Sequence, residues 1–329
     1  MGDDAIARAP GRPAWRLPAL QDSGATLALL ALLVFNVAFT PGFLTLQTFA
    51  VNVTQVAPVV IVATGMALVV ATGGIDLSVG SAAAFAGTLA ALLLSQTSGP
   101  LADPALALAA ALTLPLAAAA LSGLLNGTLV ARLHIQPIVA TLILFIAGRG
   151  FAEMLTDSNL RNFGHTGFAR LGGNLAGVPV QGFLMLAIVV VAAWVVRRTV
   201  FGRHVLAVGG NERAAVLAGI PVARVKLAVY ATCAVLAGVA GLLNAAINSA
   251  ADPAKIGLGI ELDAIAAVAV GGTLLTGGRA RIGGTLMGAL TIQLAEYSLL
   301  AHGIADEWAL MVKAGVVLLA VWLQRRPRS

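Results

Sequence analysis

Val51 to Thr72 reads VNVTQVAPVVIVATGMALVVAT, 22 residues without a charge. A run of that length and composition is what a helix needs to cross roughly 30 Å of hydrocarbon. It passes directly into Gly73-Gly74-Ile75-Asp76-Leu77-Ser78-Val79-Gly80, and a second apolar run follows. A glycine-rich break with one carboxylate between two apolar runs makes the chain a polytopic all-α membrane protein and points to transport.

Composition agrees. Apolar residues make up 59% of the 329 residues and charged residues 10%, against roughly 25% charged in soluble domains. So few charges cannot cover a soluble surface, and lipid must do so. The formal net charge of +6 gathers on no soluble face, which argues against nucleic acid. The single cysteine, Cys233, sits in an apolar run and excludes an intrachain disulfide. Met1 to Asp22 lacks the apolar core of a secretory signal and reads as a short cytosolic tail.

About ten transmembrane helices can be drawn, at roughly 24–40, 51–72, 79–95, 105–131, 137–156, 180–196, 226–247, 262–276, 282–301 and 308–324. Residues 24–324 then form one transmembrane domain between a cytosolic tail, 1–23, and a second, 325–329. Ten crossings put both termini on one side. With that side cytosolic, 15 of the 20 basic residues lie in inner segments, and only Arg161, Arg170 and Lys255 lie outside. This is the asymmetry the positive-inside rule requires. The outer connection from Asp157 to Val178 is polar. The inner one, 197–225, is basic. Paired glycines at 73–74, 271–272, 277–278 and 283–284 read as turns. The spans at Ala109 to Ala120 and Ala234 to Ala246 are rich in small residues, and Gly238 and Gly241 suit close helix contact.

The chemistry-bearing residues are few. The chain has no HExxH, CxxC, GxSxG or Walker A sequence, so it offers no enzyme site. Its four histidines, scattered over loops on both sides, predict no metal site. Asp76, among Gly73, Gly74, Ser78 and Gly80, fits either a cap for the third span or a gate. Arg149 and Glu153 stand four apart and share a helix face. Glu296 and Lys313 could pair in the same way. Asn52, Gln55, Asn126, Asn244 and Gln293 are neutral polar residues in apolar spans. They either bond helices together or line a wet pathway, and a neutral polar lining suits an uncharged hydroxylated solute. In the inner connection, Asn211-Glu212-Arg213-Ala214-Ala215-Val216-Leu217-Ala218-Gly219-Ile220 reads as a short amphipathic helix stopped by Gly219 and Pro221.

Those stretches carry a resemblance. MALVVATGGIDLSVGS (66–81) resembles the signature of permease subunits of bacterial sugar ABC importers, the ribose, xylose and galactose group. TLILFIAGRGFA (141–152) is similar to their fifth-span region, nearest to galactofuranose-type permeases. The segment 208–220, with Ala214-Ala215 followed by Gly219-Ile220, resembles the coupling loop of ABC importers, and AVAVGGTLLTGGRARIGGTLMG (267–288) resembles the family's glycine-rich stretch. The likeness covers roughly residues 60–300. One position departs: Arg213 stands where the pattern has an acid, with Glu212 one place earlier.

The resemblance implies an inner-membrane permease for a monosaccharide. It implies a second permease chain, identical or paralogous, a periplasmic sugar-binding protein, and cytosolic ATPase subunits that carry the ATP and Mg. No cofactor is expected on this chain. Two rivals stay open from the residues: a permease for branched-chain amino acids or nucleosides, and a secondary transporter with Glu296 or Asp76 as its coupling acid.

Overall fold

The computed structural model describes residues 24–96, 98–305, 308, 311, 314, 315 and 318. The two tails and most of the tenth span, Lys313 included, lie outside the described residues. The chain is almost entirely helical. Its helices are α1 (Gly24–Phe39), α2 (Leu46–Ala71), α3 (Val79–Leu94), α4 (Pro104–Ala131), α5 (Pro137–Leu155), α6 (Thr166–Ala169), α7 (Val180–Arg198), α8 (Val200–Gly210), α9 (Glu212–Leu217), α10 (Val222–Asn248), α11 (Ile260–Val270) and α12 (Ile282–Ala301). Five of these, α2, α4, α5, α7 and α10, are long and apolar enough to cross a membrane, with α1 and α3 shorter apolar helices.

The order of burial follows the sequence. The uncharged run in α2 is the innermost element: the side chains of Val60 to Val70 are all buried. It starts at Leu46, five residues before the uncharged run, because Thr45 caps it by accepting the Thr48 N–H at 3.2 Å. The 26 residues reach about 39 Å. Around α2 stand α7, α10, α11 and α12, while α10 packs in turn on α3 and α4. The α10 contact with α3 depends on Gly241, where any Cβ would strike the Ala83 backbone. With lipid outside as apolar as the core, this close backbone approach is what holds the helices together. At the rim, α1 packs against α12, and buried Asn36 joins them: its Nδ2 donates to Ser298 Oγ at 2.5 Å and its Oδ1 accepts from Thr40 Oγ1 at 2.8 Å.

Three expectations from the pattern shift. The eighth span, expected over 262–276, is α11, only 11 residues or about 16 Å long. It ends at Gly271-Gly272, where Gly272 has φ +78°, too short to span roughly 30 Å of hydrocarbon. The glycines at 283–284 lie inside α12 rather than in a turn; Gly284 there lets α12 approach the Gly271 carbonyl. The inner connection holds two helices, α8 and α9, not one.

Two small strand pairs fix which connections share a side. β1 (Arg161–Asn162) pairs antiparallel with β4 (Ala250–Ala251), and β2 (Asn174–Leu175) pairs with β3 (Val178–Pro179). The connection after α5 and the one after α10 therefore lie together on one side. On the other, the Gly278 N–H donates to the Ala71 carbonyl at 2.9 Å, and Gly209 abuts both Ala71 and Gly278. The α2–α3 break, the α8–α9 connection and the α11–α12 turn thus meet on the opposite side, as alternating crossings demand.

Candidate functional site

The residues singled out in the sequence gather at three places. The first is the break after α2. Gly73 takes φ +82°, which a side chain resists, and residues 74–78 run unwound before α3 begins. Asp76, fully buried, accepts on Oδ1 from the Ser78 N–H at 2.9 Å and the Ser78 hydroxyl at 2.7 Å. Asn126 of α4 joins them: its Nδ2 donates to Ser78 Oγ at 2.8 Å and approaches Asp76 Oδ1 at 3.5 Å. The Leu77 N–H donates to Thr141 Oγ1 of α5 at 3.1 Å. The break is thus held by side chains from two neighbouring helices, which satisfy backbone that no helix serves.

Beside it lies a second unwound segment, 252–259, leading into α11. At Gly80 a side chain would collide with the Gly257 carbonyl and with Glu261, so the first turns of α3 and α11 touch. Both helix N-termini carry partial positive charge, and an acid stands by each, Asp76 and the buried Glu261. Arg149 of α5 fastens this segment. Its Nη1 donates to the Pro253 carbonyl at 2.7 Å and to the Ile256 carbonyl at 2.8 Å. Arg149 stands in the electrostatic range of Glu261 and Glu153, and its bonds go to loop carbonyls rather than to the neighbour four residues on. The sequence reading missed Glu261 and the 252–259 segment. Their signal was present as an acid at the second position of a short apolar stretch after Gly257 and Gly259.

The second place is the N-terminal half of α2, where it meets α12. Gln293 Nε2 donates to Gln55 Oε1 at 2.9 Å, and Asn52 donates to the Thr48 carbonyl at 2.9 Å. Asn52 and Gln293 edge a cavity of about 600 Å³ whose other walls are mostly aliphatic and aromatic, among them Leu29, Leu33, Phe43 and Leu46. Of the five neutral polar candidates, these three come together. Asn126 belongs to the break. Asn244 sits half-buried along α10, its carbonyl accepting from Asn248. Glu296 lies half-buried in α12.

The third place is the α8–α9 connection. Asn211 caps α9 by accepting the Ala214 N–H at 3.0 Å. Gly219, at φ +75°, ends it, and the Ile220 N–H returns to the Ala215 carbonyl at 3.0 Å. Ala215 faces inward at 3% exposure, while Leu217 stands out at 90%. Glu212 is engaged within the chain: Lys226 Nζ donates to both its carboxylate oxygens at 2.8 Å. The connection is not a free tether. Gly209, near the end of α8, abuts Ala71 at the end of α2 so closely that any side chain would collide. Between them opens a cavity of about 440 Å³ lined by Gly73, Gly74, His134, Asn211, Glu212, Lys226 and Tyr230, among others.

Comparison with known proteins fits this arrangement. Residues 49–321 match the family model described as branched-chain amino acid transport system / permease component. The ribose import permease protein of Escherichia coli K12 is 39% identical over 313 residues, covering 93% of this chain and 94% of the relative. The galactofuranose transporter permease protein of the same organism is 39% identical over 272 residues, 82% of this chain and 77% of the relative. The L-arabinose ABC transporter permease protein of Azospirillum brasilense is 34% identical over 336 residues, 99% of this chain and 94% of the relative. No solved structure matches the chain.

Proposed function

The chain belongs to the permease family of ATP-binding-cassette sugar importers, and on that premise we propose that it forms one half of a pore carrying a monosaccharide inward. A second permease chain supplies the other half. A binding protein on the outer side delivers the sugar, and ATPase subunits on the inner side hold ATP and Mg and do the chemical work. Both termini lie on the ATPase side, in the inner membrane of a bacterium.

One observation carries this reading: a short, capped helix, α9, presents Leu217 outward and follows directly on α8, whose Gly209 abuts Ala71 at the end of α2. An apolar knob on a capped helix suits insertion into a groove of a partner protein. Through that contact the partner's closure moves the break, beside which the starts of α3 and α11 touch. Broken helices whose ends meet at depth are a recurring way for transporters to build a movable site. The amides of Asn52, Gln55 and Gln293 offer both donors and acceptors, the chemistry a hydroxylated neutral solute needs. Identity is equal for the ribose and galactofuranose relatives, so the sugar must be found by measurement.

The test is reconstitution. The chain, co-purified with its ATPase and binding protein in lipid vesicles, should hydrolyse ATP faster when one pentose or hexose loads the binding protein. Acceleration by leucine or a nucleoside and by no sugar would replace the sugar reading with the amino-acid or nucleoside one. Uptake that follows an ion gradient with ATP absent would overturn the class.

A further inference from the structure

Around Asp76 the hydrogen-bond count fails to close by one proton. Three fully buried oxygens there have no partner: Asp76 Oδ2, Asn126 Oδ1 and the Tyr230 hydroxyl of α10. The amide of Asn126 cannot be turned to improve matters. The Ser78 hydroxyl has one hydrogen and gives it to Asp76 Oδ1, so toward Asn126 it can only accept, and the donating nitrogen must face it. That leaves two buried acceptors, Asp76 Oδ2 and Asn126 Oδ1, with no donor bonded to either.

Charge is equally unbalanced. The titratable groups of α10 that face Asp76 are Tyr230 and Cys233. From α4 it meets Asn126, and from α5 Thr141 reaches its neighbour Leu77. None of these is a cation; Lys226, which lines the inner cavity beside Tyr230 together with His134, is paired with Glu212. A buried carboxylate with no counter-charge is costly, and such a group takes up a proton instead.

We propose that Asp76 is a protonated acid that forms a paired acid–amide contact with Asn126, latching the α2–α3 break to α4. In that pairing Asn126 Nδ2 faces Asp76 Oδ1, as observed, and the Asp76 Oδ2–H donates to Asn126 Oδ1. One added proton thus serves both Asp76 Oδ2 and Asn126 Oδ1. The inner cavity ends on Gly73, Gly74 and Tyr230, two residues from Asp76. That is the wall through which the proton exchanges with the inner solution. Opening it to water would let the acid ionise and free the break, so the latch would be a proton-held element of the inner gate.

The test uses the full chain in lipid nanodiscs. The infrared difference spectrum between wild type and D76N should show the carbonyl band of a protonated carboxylic acid near neutral pH. It should shift on deuteration, and in N126L, where the acid stays protonated but loses its amide partner, it should move to higher wavenumber. D76N keeps a neutral group with a donor in place of Oδ2, so its unfolding equilibrium should stay within about twofold of wild type, while D76A, which strands the Asn126 amide, should lose about tenfold or more. An ionised-carboxylate band in wild type would overturn the proposal, whether a bound water or a cation then serves the three oxygens. So would D76N unfolding as readily as D76A. If D76A does not fold at all, the wild-type spectrum alone decides.

Discussion

Replacing Leu217 by aspartate should separate coupling from folding. Leu217 is 90% exposed and sits one residue before the cap of α9. Its removal strands no packing partner, and a surface change of this kind shifts stability by less than about 0.5 kcal/mol. In a partner's groove the same side chain would be buried, which is worth roughly 1.5–3 kcal/mol. Aspartate forfeits that and places a charge against an apolar wall, so the total loss should reach about 3 kcal/mol or more, a factor of roughly 100 in affinity for the ATPase. The assay has two arms. Thermal unfolding of the purified chain should match wild type, and sugar-stimulated ATP turnover of the reconstituted complex should fall to the level of the ATPase without binding protein. Wild-type coupling in L217D would refute the reasoning that α9 is the handle. A large drop in unfolding temperature would refute the claim that Leu217 is free of the fold.

Further outcomes follow from the same geometry. Gly209→Val should wedge α8 away from Ala71, costing about 1–3 kcal/mol and lowering transport more than assembly, checked by uptake against co-purified ATPase. Arg149→Met removes two charge-assisted bonds to the 252–259 segment and should destabilise the chain by about 2–4 kcal/mol; Arg149→Lys, with a compact ammonium, should recover part of the unfolding temperature. Asn36→Leu breaks the buried link between α1 and α12 and should cost about 0.6–2 kcal/mol, read by thermal unfolding in detergent. A cysteine at Leu217 should react with an impermeant thiol reagent only from the ATPase side and one at Leu175 only from the opposite side, with buried Cys233 silent; the reverse labelling would invert the topology.

Much of the architecture was legible because lipid imposes simple demands. A helix must satisfy its own backbone in hydrocarbon, so uncharged runs such as 51–72 could become nothing else, and helices appear at nine of the ten expected spans among the described residues. The stop of α9 was legible too, since Gly219 must take φ +75° before Pro221. The shortness of α11 was harder to read. Ala266 to Val270 continues the apolar pattern past the first turn, and a Gly-Gly pair follows a helix end at 73–74 but lies inside α12 at 283–284. Glycine spacing likewise marked Gly241 for close contact without naming its partner, Ala83.

What the sequence by itself determined is which segments form long apolar helices and where they break, because these depend on length, hydrophobicity and turn residues, all local properties. Only the tertiary structure decided that Asn126 belongs with Asp76 and Ser78, that Arg149 grips carbonyls of residues more than a hundred positions away, and that Gly209 seats the inner helices against Ala71. Those pairings join segments distant in the chain, and in a medium where every span is equally apolar, shape at a few glycines and the need to satisfy a few buried polar atoms choose among many alternative packings.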